Sequence, residues 1–218
     1  MHGVIFDLDG TLIHSLPGIA QGVNHALASH GYPGHSEAVI RSFIGNGLWT
    51  TCRRALPAEE PDDIVDTIRK AQIEYYAAHW IKGTTIYDGI TELLTELVSK
   101  NIAIAVCTNK PHALAVDMVE TLFSDYPFVD VIGDKPDNSV KPDPTEALKI
   151  AHKMNLEPSN IYFVGDSTID GETGVNAGMH PQLVSWGYHD RPVLEATGSP
   201  LFDSVTTLHQ NLLTHPQA

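Results

Sequence analysis

Short apolar runs alternate along the chain with segments of helical period. The runs lie at residues 4–6, 102–106, 129–132, 161–164 and 182–185. Between them, apolar residues recur three and four positions apart, as they do from 89 to 100. Strands without polar alternation are buried on both faces, and helices cover such faces in parallel sheets. The pattern therefore predicts an α/β fold with a doubly wound parallel sheet.

One long segment interrupts this alternation. The stretch 7–101 contains no run typical of a strand, and much of it, such as 64–75, has the period of an amphipathic helix. Long insertions in compact domains are often functional, and glycine-containing joints let them move. We expect an inserted all-helical cap at residues 15–83, lying over a site, and a core domain made of residues 1–14 and 84–218.

Polar residues collect where the predicted strands end. In an open parallel sheet the carboxyl ends of the strands share one edge, and ligands bind there. The candidates are Asp7, Asp9, Thr108, Asn109, Lys141, Asp166 and Asp170. We expect their side chains to meet at one site.

Four of these residues are aspartates, which repel one another when crowded. Two unit charges about 4 Å apart cost about 4 kcal/mol at an effective dielectric constant near 20. Protonation relieves one carboxylate at most, because carboxyl pKa values normally lie near 4. Mg²⁺ combines one or two carboxylates with water and phosphate oxygens. The acidic residues therefore predict Mg²⁺ and an anionic, phosphorylated substrate together.

The other polar residues suit phosphoryl transfer. A carboxylate that attacks phosphorus forms an aspartyl phosphate, which divides one difficult displacement into two easier steps. Thr108 and Asn109 precede a predicted helix that starts at Pro111, where donors and the helix dipole favour a phosphate. Lys141 supplies a point charge that balances phosphate and nucleophile.

Together these motifs resemble those of the haloacid dehalogenase-like hydrolase superfamily. They are Asp-Leu-Asp-Gly-Thr at 7–11, Thr-Asn at 108–109, Lys-Pro at 141–142 and Gly-Asp-Ser-x-x-Asp at 165–170. Stretches 42–48, 107–111 and 164–179 are similar to the phosphoglycolate phosphatase group. The likeness covers the whole chain, and the motifs occur in the order that the family requires.

The resemblance implies a role for each matching residue. Asp7 is expected to be the nucleophile, and Asp9 the general acid that protonates the leaving oxygen and then the base that activates water. Mg²⁺ is expected on Asp7, the backbone carbonyl of Asp9, Asp166 and Asp170, the last directly or through water. Thr108 and Lys141 are expected to bind the phosphoryl group.

The cap offers further candidates with simpler alternatives. Gly45, Asn46 and Gly47 form either an ordinary turn or a loop that closes over the leaving group. Arg53 either contacts a substrate carboxylate or belongs to a solvated helix face. The chain also departs from the family pattern after Asp170, where Gly171 and other poor helix formers follow and leave the metal role of Asp170 open.

The resulting hypothesis is a Mg²⁺-dependent phosphatase that acts on a small phosphomonoester through an aspartyl phosphate, with 2-phosphoglycolate as the leading substrate. An inorganic pyrophosphatase, a sugar phosphatase and a phosphomutase share every core motif and remain alternatives. A signalling receiver domain also carries a phosphorylated aspartate, but it is shorter and needs neither a helical cap nor a second acid such as Asp9.

Composition excludes several other partners. The formal net charge is −14, and no cluster of Lys and Arg is present to bind nucleic acid or anionic lipid. No apolar run approaches the roughly 20 residues that span a bilayer. We expect a cytoplasmic protein, monomer or homodimer, with a small phosphorylated metabolite as its partner. The 2 cysteines are expected to be reduced, and the 12 histidines show no metal-ligand spacing.

Overall fold

A computed structural model describes residues 2–136 and 139–214. The strands are β1 (Gly3–Phe6), β2 (Ile13–His14), β3 (Thr85–Ile86), β4 (Ala103–Pro111), β5 (Val131–Asp134), β6 (Ile161–Gly165), β7 (His180–Val184) and β8 (Leu201–Phe202). The α-helices are α1 (Leu16–Ser29), α2 (Glu37–Arg41), α3 (Gly47–Ala55), α4 (Asp62–His79), α5 (Ile90–Ser99), α6 (His112–Leu122), α7 (Thr145–Met154), α8 (Thr168–Asn176), α9 (Arg191–Glu195) and α10 (Val205–Leu212). Within the described residues, no helix is both long enough and apolar enough to cross a membrane.

Six strands form one parallel sheet in the order β5-β4-β1-β6-β7-β8. At its centre, Gly3 of β1 pairs with Ala103 of β4 and with Ile161 of β6. Along β1, Val4 belongs to one apolar cluster and Ile5 to another, so both faces of the sheet are covered. The predicted α/β class and parallel sheet are confirmed. The edge strand β8 was not predicted, because two residues carry no periodic signal.

Two short strands contradict the expectation that the segment between the first and second predicted strands has no strand. β2 and β3 pair antiparallel, with Ile13 opposite Ile86 and His14 opposite Thr85. They bring the two connections between the sheet and the inserted helices side by side. The expected cap boundaries at residues 15 and 83 lie next to this two-stranded ribbon.

The inserted helices pack on each other through faces of helical period. Helix α4 buries Val65, Ile68, Gln72 and Tyr76, which lie three or four positions apart. This face packs against α1, whose buried side chains belong to the same apolar cluster as Phe6 of the sheet. Tyr76 and Gln72 therefore face inward, towards the junction with the sheet.

Helix α8 forms although its sequence is rich in glycine. Ser167 and Asp170 make a reciprocal capping box, in which the Ser167 hydroxyl accepts from the Asp170 N–H and the Asp170 carboxylate accepts from the Ser167 N–H. A Cβ on Gly174 would lie 3.0 Å from the Pro181 Cβ and 3.3 Å from the Phe163 Cβ. Glycine at 174 thus lets α8 approach β6 and β7 closely, which fixes Asp170 at the edge of the sheet.

Candidate active site

Three aspartates meet at the carboxyl edge of the sheet. Asp7 follows β1 and Asp166 follows β6, and these two strands are neighbours. Asp170 lies in the first turn of α8. All three are buried, and each offers one carboxylate oxygen within 4.8 Å of the others. Two strand ends and the start of α8 therefore bring together three of the four aspartates that the sequence analysis grouped, and Asp9 is not in this cluster.

Lys141 lies between two of these carboxylates. Its Nζ is 2.8 Å from Asp7 Oδ1 and 2.6 Å from Asp170 Oδ1. Burial by itself lowers the pKa of Lys141, but the carboxylates of Asp170 and Asp7 outweigh burial and raise it. Lys141 is therefore a buried ammonium group, and it neutralises part of the acidic cluster.

The cluster keeps an excess of negative charge. Burial raises the pKa of Asp7 to about 6, while Lys141 opposes this shift and Asp170 adds to it. Burial, followed by the charges of Asp170 and Asp7, raises the pKa of Asp166 well above its usual range. One ammonium group cannot balance three carboxylates, and the donors are all oxygens. The donor set therefore fits a hard divalent cation.

The two oxygens of Asp170 already have partners. One accepts from Lys141 Nζ, and the other accepts from the Ser167 N–H at 3.0 Å and from the Ser167 hydroxyl at 2.6 Å. Asp170 therefore orients Lys141 and caps α8 at the same time.

Asn109 holds the backbone of Lys141. Its Oδ1 accepts from the Lys141 N–H at 2.8 Å, and its Nδ2 donates to the Lys141 carbonyl at 3.0 Å. Nδ2 also lies 3.4 Å from the carbonyl oxygen of Gly45 in the cap. The Asn109 amide therefore positions the backbone of Lys141, and Asn109 and Thr108 both line the cavity beside Asp7.

Asp9 stands apart from the three-aspartate cluster and has its own cation. Lys110 Nζ lies 3.0 Å from each carboxylate oxygen of Asp9, and the Ser15 hydroxyl donates to Oδ1. The same Nζ lies 4.6 Å from the ring centre of Tyr76, on cap helix α4. Burial alone lowers the pKa of Lys110, but Asp9 outweighs burial and raises it. Sequence reasoning missed Lys110, because its ion pair with Asp9 joins residues 101 positions apart in the chain and leaves no local signal.

Asp166 is held by a loop that carries no motif. The backbone N–H of Tyr188 donates to Asp166 Oδ2 at 2.6 Å. The Tyr188 hydroxyl accepts from the N–H groups of Ser15 and Leu16, at 2.8 and 3.0 Å, where α1 begins. Gly187 leaves room for this arrangement, because a Cβ there would lie 2.3 Å from the Asp166 Cβ.

A cavity opens above these groups, between the sheet edge and the inserted helices. Its cap side is formed by Ile19, Ile44, Gly45, Gly47, Leu48, Thr51, Gln72 and Tyr76. Asn46 and Arg53, expected near the substrate, are not among the described residues that line it. The Arg53 guanidinium instead donates to the carbonyls of Pro57 and Glu60 and stabilises the loop after α3. Of the two alternatives for Arg53, its position favours a structural role over contact with a substrate carboxylate.

The chain resembles known proteins over nearly its whole length. Residues 4–184 match the family described as haloacid dehalogenase-like hydrolase. A phosphoglycolate phosphatase from Rhodospirillum rubrum is 34% identical over 212 residues, which cover 94% of this chain and 88% of that protein. One from Cereibacter sphaeroides is 35% identical over 222 residues, covering 98% and 100%. The crystal structure of a predicted phosphoglycolate phosphatase from Haemophilus somnus has a TM-score of 0.90 at 27% identity and covers 97% of this chain and 98% of that one.

Proposed function

The chain belongs to the haloacid dehalogenase-like hydrolase family, and we propose that it hydrolyses 2-phosphoglycolate to glycolate and phosphate with Mg²⁺ as its cofactor. It is a phosphoric monoester hydrolase. The observation that carries the proposal is the geometry at Asp7, a buried carboxylate that lines the cavity next to the ammonium group of Lys141 and two further aspartates.

We assign the nucleophile to Asp7. Both oxygens of Asp170 are occupied, and Asp170 has no exposed surface, whereas Asp7 faces the cavity. An Asp7 oxygen attacks phosphorus, and the bond between phosphorus and the ester oxygen breaks, which leaves the phosphoryl group on Asp7. Lys141 and Thr108 stabilise the negative charge that spreads over the phosphoryl oxygens during this step.

Asp9 acts as the general acid in the first step and as the general base in the second. It first gives a proton to the departing ester oxygen, which leaves as the hydroxyl group of glycolate. It then accepts a proton from the water molecule that attacks phosphorus, and the bond between phosphorus and Asp7 breaks. Asp9 lines the cavity outside the three-aspartate cluster, and Lys110 and Ser15 hold its carboxylate in place, which supports a role beside the ester oxygen.

The residues that would hold Mg²⁺ are Asp7, Asp166 and the backbone carbonyl of Asp9, with Asp170 acting through water because its oxygens already have partners. When bound, the ion supplies positive charge to the phosphoryl oxygens. The excess of carboxylate over ammonium groups in the cluster supports this assignment.

Release of inorganic phosphate from a panel of substrates tests the proposal. The panel contains 2-phosphoglycolate, pyrophosphate and several hexose phosphates, each assayed with Mg²⁺ and with EDTA. The proposal predicts the highest kcat/KM for 2-phosphoglycolate and no turnover in EDTA. A higher kcat/KM for pyrophosphate or for a hexose phosphate contradicts the substrate assignment, and an enzyme fully active in EDTA contradicts the cofactor.

A further inference from the structure

A second cation faces the cavity besides Lys141, and no step above assigns it to the substrate. We propose that Lys110 binds the carboxylate of the leaving group, an inference that rests on the proposed function. Lys110 would thereby select short phosphate esters that carry a carboxylate on the carbon bonded to the ester oxygen. Lys110 is buried and lines the cavity at its junction with the cap. It would thus act on substrate choice as well as on Asp9.

The distance between Lys110 and the ester oxygen of the substrate can be inferred from the contact between Lys110 and Asp9. A general acid must lie about 2.6–3.2 Å from the ester oxygen that it protonates. Lys110 Nζ is 3.0 Å from both oxygens of that acid. In 2-phosphoglycolate a single methylene group separates the ester oxygen from the carboxylate. The ammonium group is therefore within hydrogen-bond reach of a carboxylate at this point of the substrate.

Lys110 also has hydrogen-bonding capacity to offer. An ammonium group carries three N–H donors. Lys110 Nζ donates to the two oxygens of Asp9 and to the Tyr76 hydroxyl, the last at a long 3.4 Å. A substrate carboxylate would replace this weak contact with a charge-assisted bond.

Among the described residues that line the cavity, the lysines are Lys110 and Lys141. Lys141 lies between Asp7 and Asp170 at the phosphoryl end of the cavity. Arg41 pairs with Asp190 at 3.1 Å, and no arginine is among the described residues that line the cavity. Lys110 is therefore the cation that is left for the leaving group.

The surroundings require such a cation. Ile44, Leu48 and Leu114 form an apolar wall, where an unpaired carboxylate would be costly to bury. Gln72 adds a polar group on this wall, one helical turn before Tyr76. It is 2% exposed, and its Oε1 is buried without a hydrogen-bond partner among the described residues. Oε1 accepts hydrogen bonds only, so a contact between Gln72 and the substrate carboxylate would have to come from the Nε2 group of the same amide.

A pair of substrates tests the proposal. 2-Phosphoglycolate and 2-hydroxyethyl phosphate have similar size, but only the first carries a carboxylate in the leaving group. We expect wild-type kcat/KM to favour 2-phosphoglycolate, and Lys110→Met to lower this preference roughly 10- to 100-fold, the range expected for loss of a charged hydrogen bond. Lys100→Met, which removes an exposed lysine on α5, serves as the matched control and should leave the preference unchanged.

The comparison separates this inference from the proposed function. If Lys110→Met reduces kcat/KM equally for both substrates, Lys110 only positions Asp9, and the inference is wrong although the phosphatase assignment stands. A wild type that prefers 2-hydroxyethyl phosphate overturns the inference in the same way. A wild type that hydrolyses neither ester, nor any other member of the panel, overturns the proposed function itself.

Two further measurements do not depend on the folding of Lys110→Met. Glycolate should inhibit hydrolysis of 2-hydroxyethyl phosphate by the wild type, and ethylene glycol at the same concentration should not; equal inhibition contradicts the inference. Gln72→Glu places a negative charge beside the expected carboxylate and should also lower the preference for 2-phosphoglycolate. If Lys110→Met does not fold, an unchanged preference in Gln72→Glu overturns the proposal.

Discussion

Lys141 Nζ lies 2.8 Å from Asp7 Oδ1, and both side chains are buried. The lysine comes from a loop after β5, and the aspartate from the end of β1, so the contact exists only in the folded sheet. Because Lys141 also contacts Asp170 at 2.6 Å, it keeps a carboxylate partner when Asp7 is changed. Asp7 can therefore be tested for chemistry with little loss of structure.

Asp7→Asn should abolish turnover, because an amide cannot attack phosphorus, while the melting temperature stays close to that of the wild type. Phosphate release and thermal unfolding measure the two effects. Asp125→Asn, at an exposed position, is the control and should match the wild type in both. An Asp7→Asn enzyme with near-normal turnover would show that another residue is the nucleophile.

Asp9→Asn should lower kcat by about 100- to 10,000-fold, the range typical of lost general acid–base catalysis. A substrate with a good leaving group, such as p-nitrophenyl phosphate, needs less protonation in the first step. We therefore expect Asp9→Asn to lower the rate of this first step less, as measured by the initial burst of p-nitrophenol release. An equal loss of the burst rate and of steady-state turnover with 2-phosphoglycolate would argue against the acid role.

Mg²⁺ should stabilise the protein more at neutral pH than in mild acid. Burial raises the pKa of Asp7 from 3.8 to about 6, and burial also raises that of Asp166. Metal-free native protein therefore holds protons that the unfolded chain has lost, and its stability falls as the pH rises from about 4 through about 6. Mg²⁺ bound to these carboxylates, as proposed above, would favour their deprotonated form and should reverse this loss.

Thermal unfolding with Mg²⁺ and with EDTA, at pH values of about 5 and about 7.5, checks this prediction. The rise in melting temperature on adding Mg²⁺ should be larger at the higher pH. Replacing Mg²⁺ by K⁺ at equal ionic strength controls for screening. A rise that is equal at both pH values would place Mg²⁺ away from these aspartates.

Tyr188→Phe should reduce the free energy of unfolding by about 1–3 kcal/mol, because two buried backbone N–H groups at the start of α1 lose their acceptor. The groups are those of Ser15 and Leu16. Urea unfolding measures the change. Tyr126→Phe removes an exposed hydroxyl that donates to the Thr91 carbonyl, and it should change stability by less than about 0.5 kcal/mol. Equal effects of the two substitutions would rule out the capping role of Tyr188.

Gly187→Ala should weaken Mg²⁺ activation, because the added methyl group would meet the Asp166 Cβ at 2.3 Å and displace its carboxylate. The Mg²⁺ concentration that gives half-maximal activity is the measurement, and it should rise. Gly171→Ala is the control, since its added methyl group would have neighbours no nearer than 3.6 Å. Unchanged Mg²⁺ dependence in Gly187→Ala would mean that Asp166 moves freely or does not bind the ion.

The sheet and the acidic residues could be predicted because their signals are local. The apolar run before Asp7 and the one before Asp166 identify strands, and parallel strands place the residues that follow them at one edge. Asn109 illustrates the limit of such reasoning. Its place before a helix predicts a phosphate ligand, which stays a prediction, but no local signal shows that its amide binds the backbone of Lys141, which lies in a different loop.

Local signals in the chain were enough to predict the fold class, the order of the motifs and a group of aspartates that needs a cation, because hydrophobic period and motif spacing are properties of neighbouring residues. The pairing of Lys110 with Asp9 beneath Tyr76 and the place of Gln72 in the cavity required the folded molecule. Both depend on packing between residues far apart in the chain, which no local pattern records. The contacts of Arg53 are local, but the carbonyl groups of Pro57 and Glu60 that it binds carry no side-chain signal.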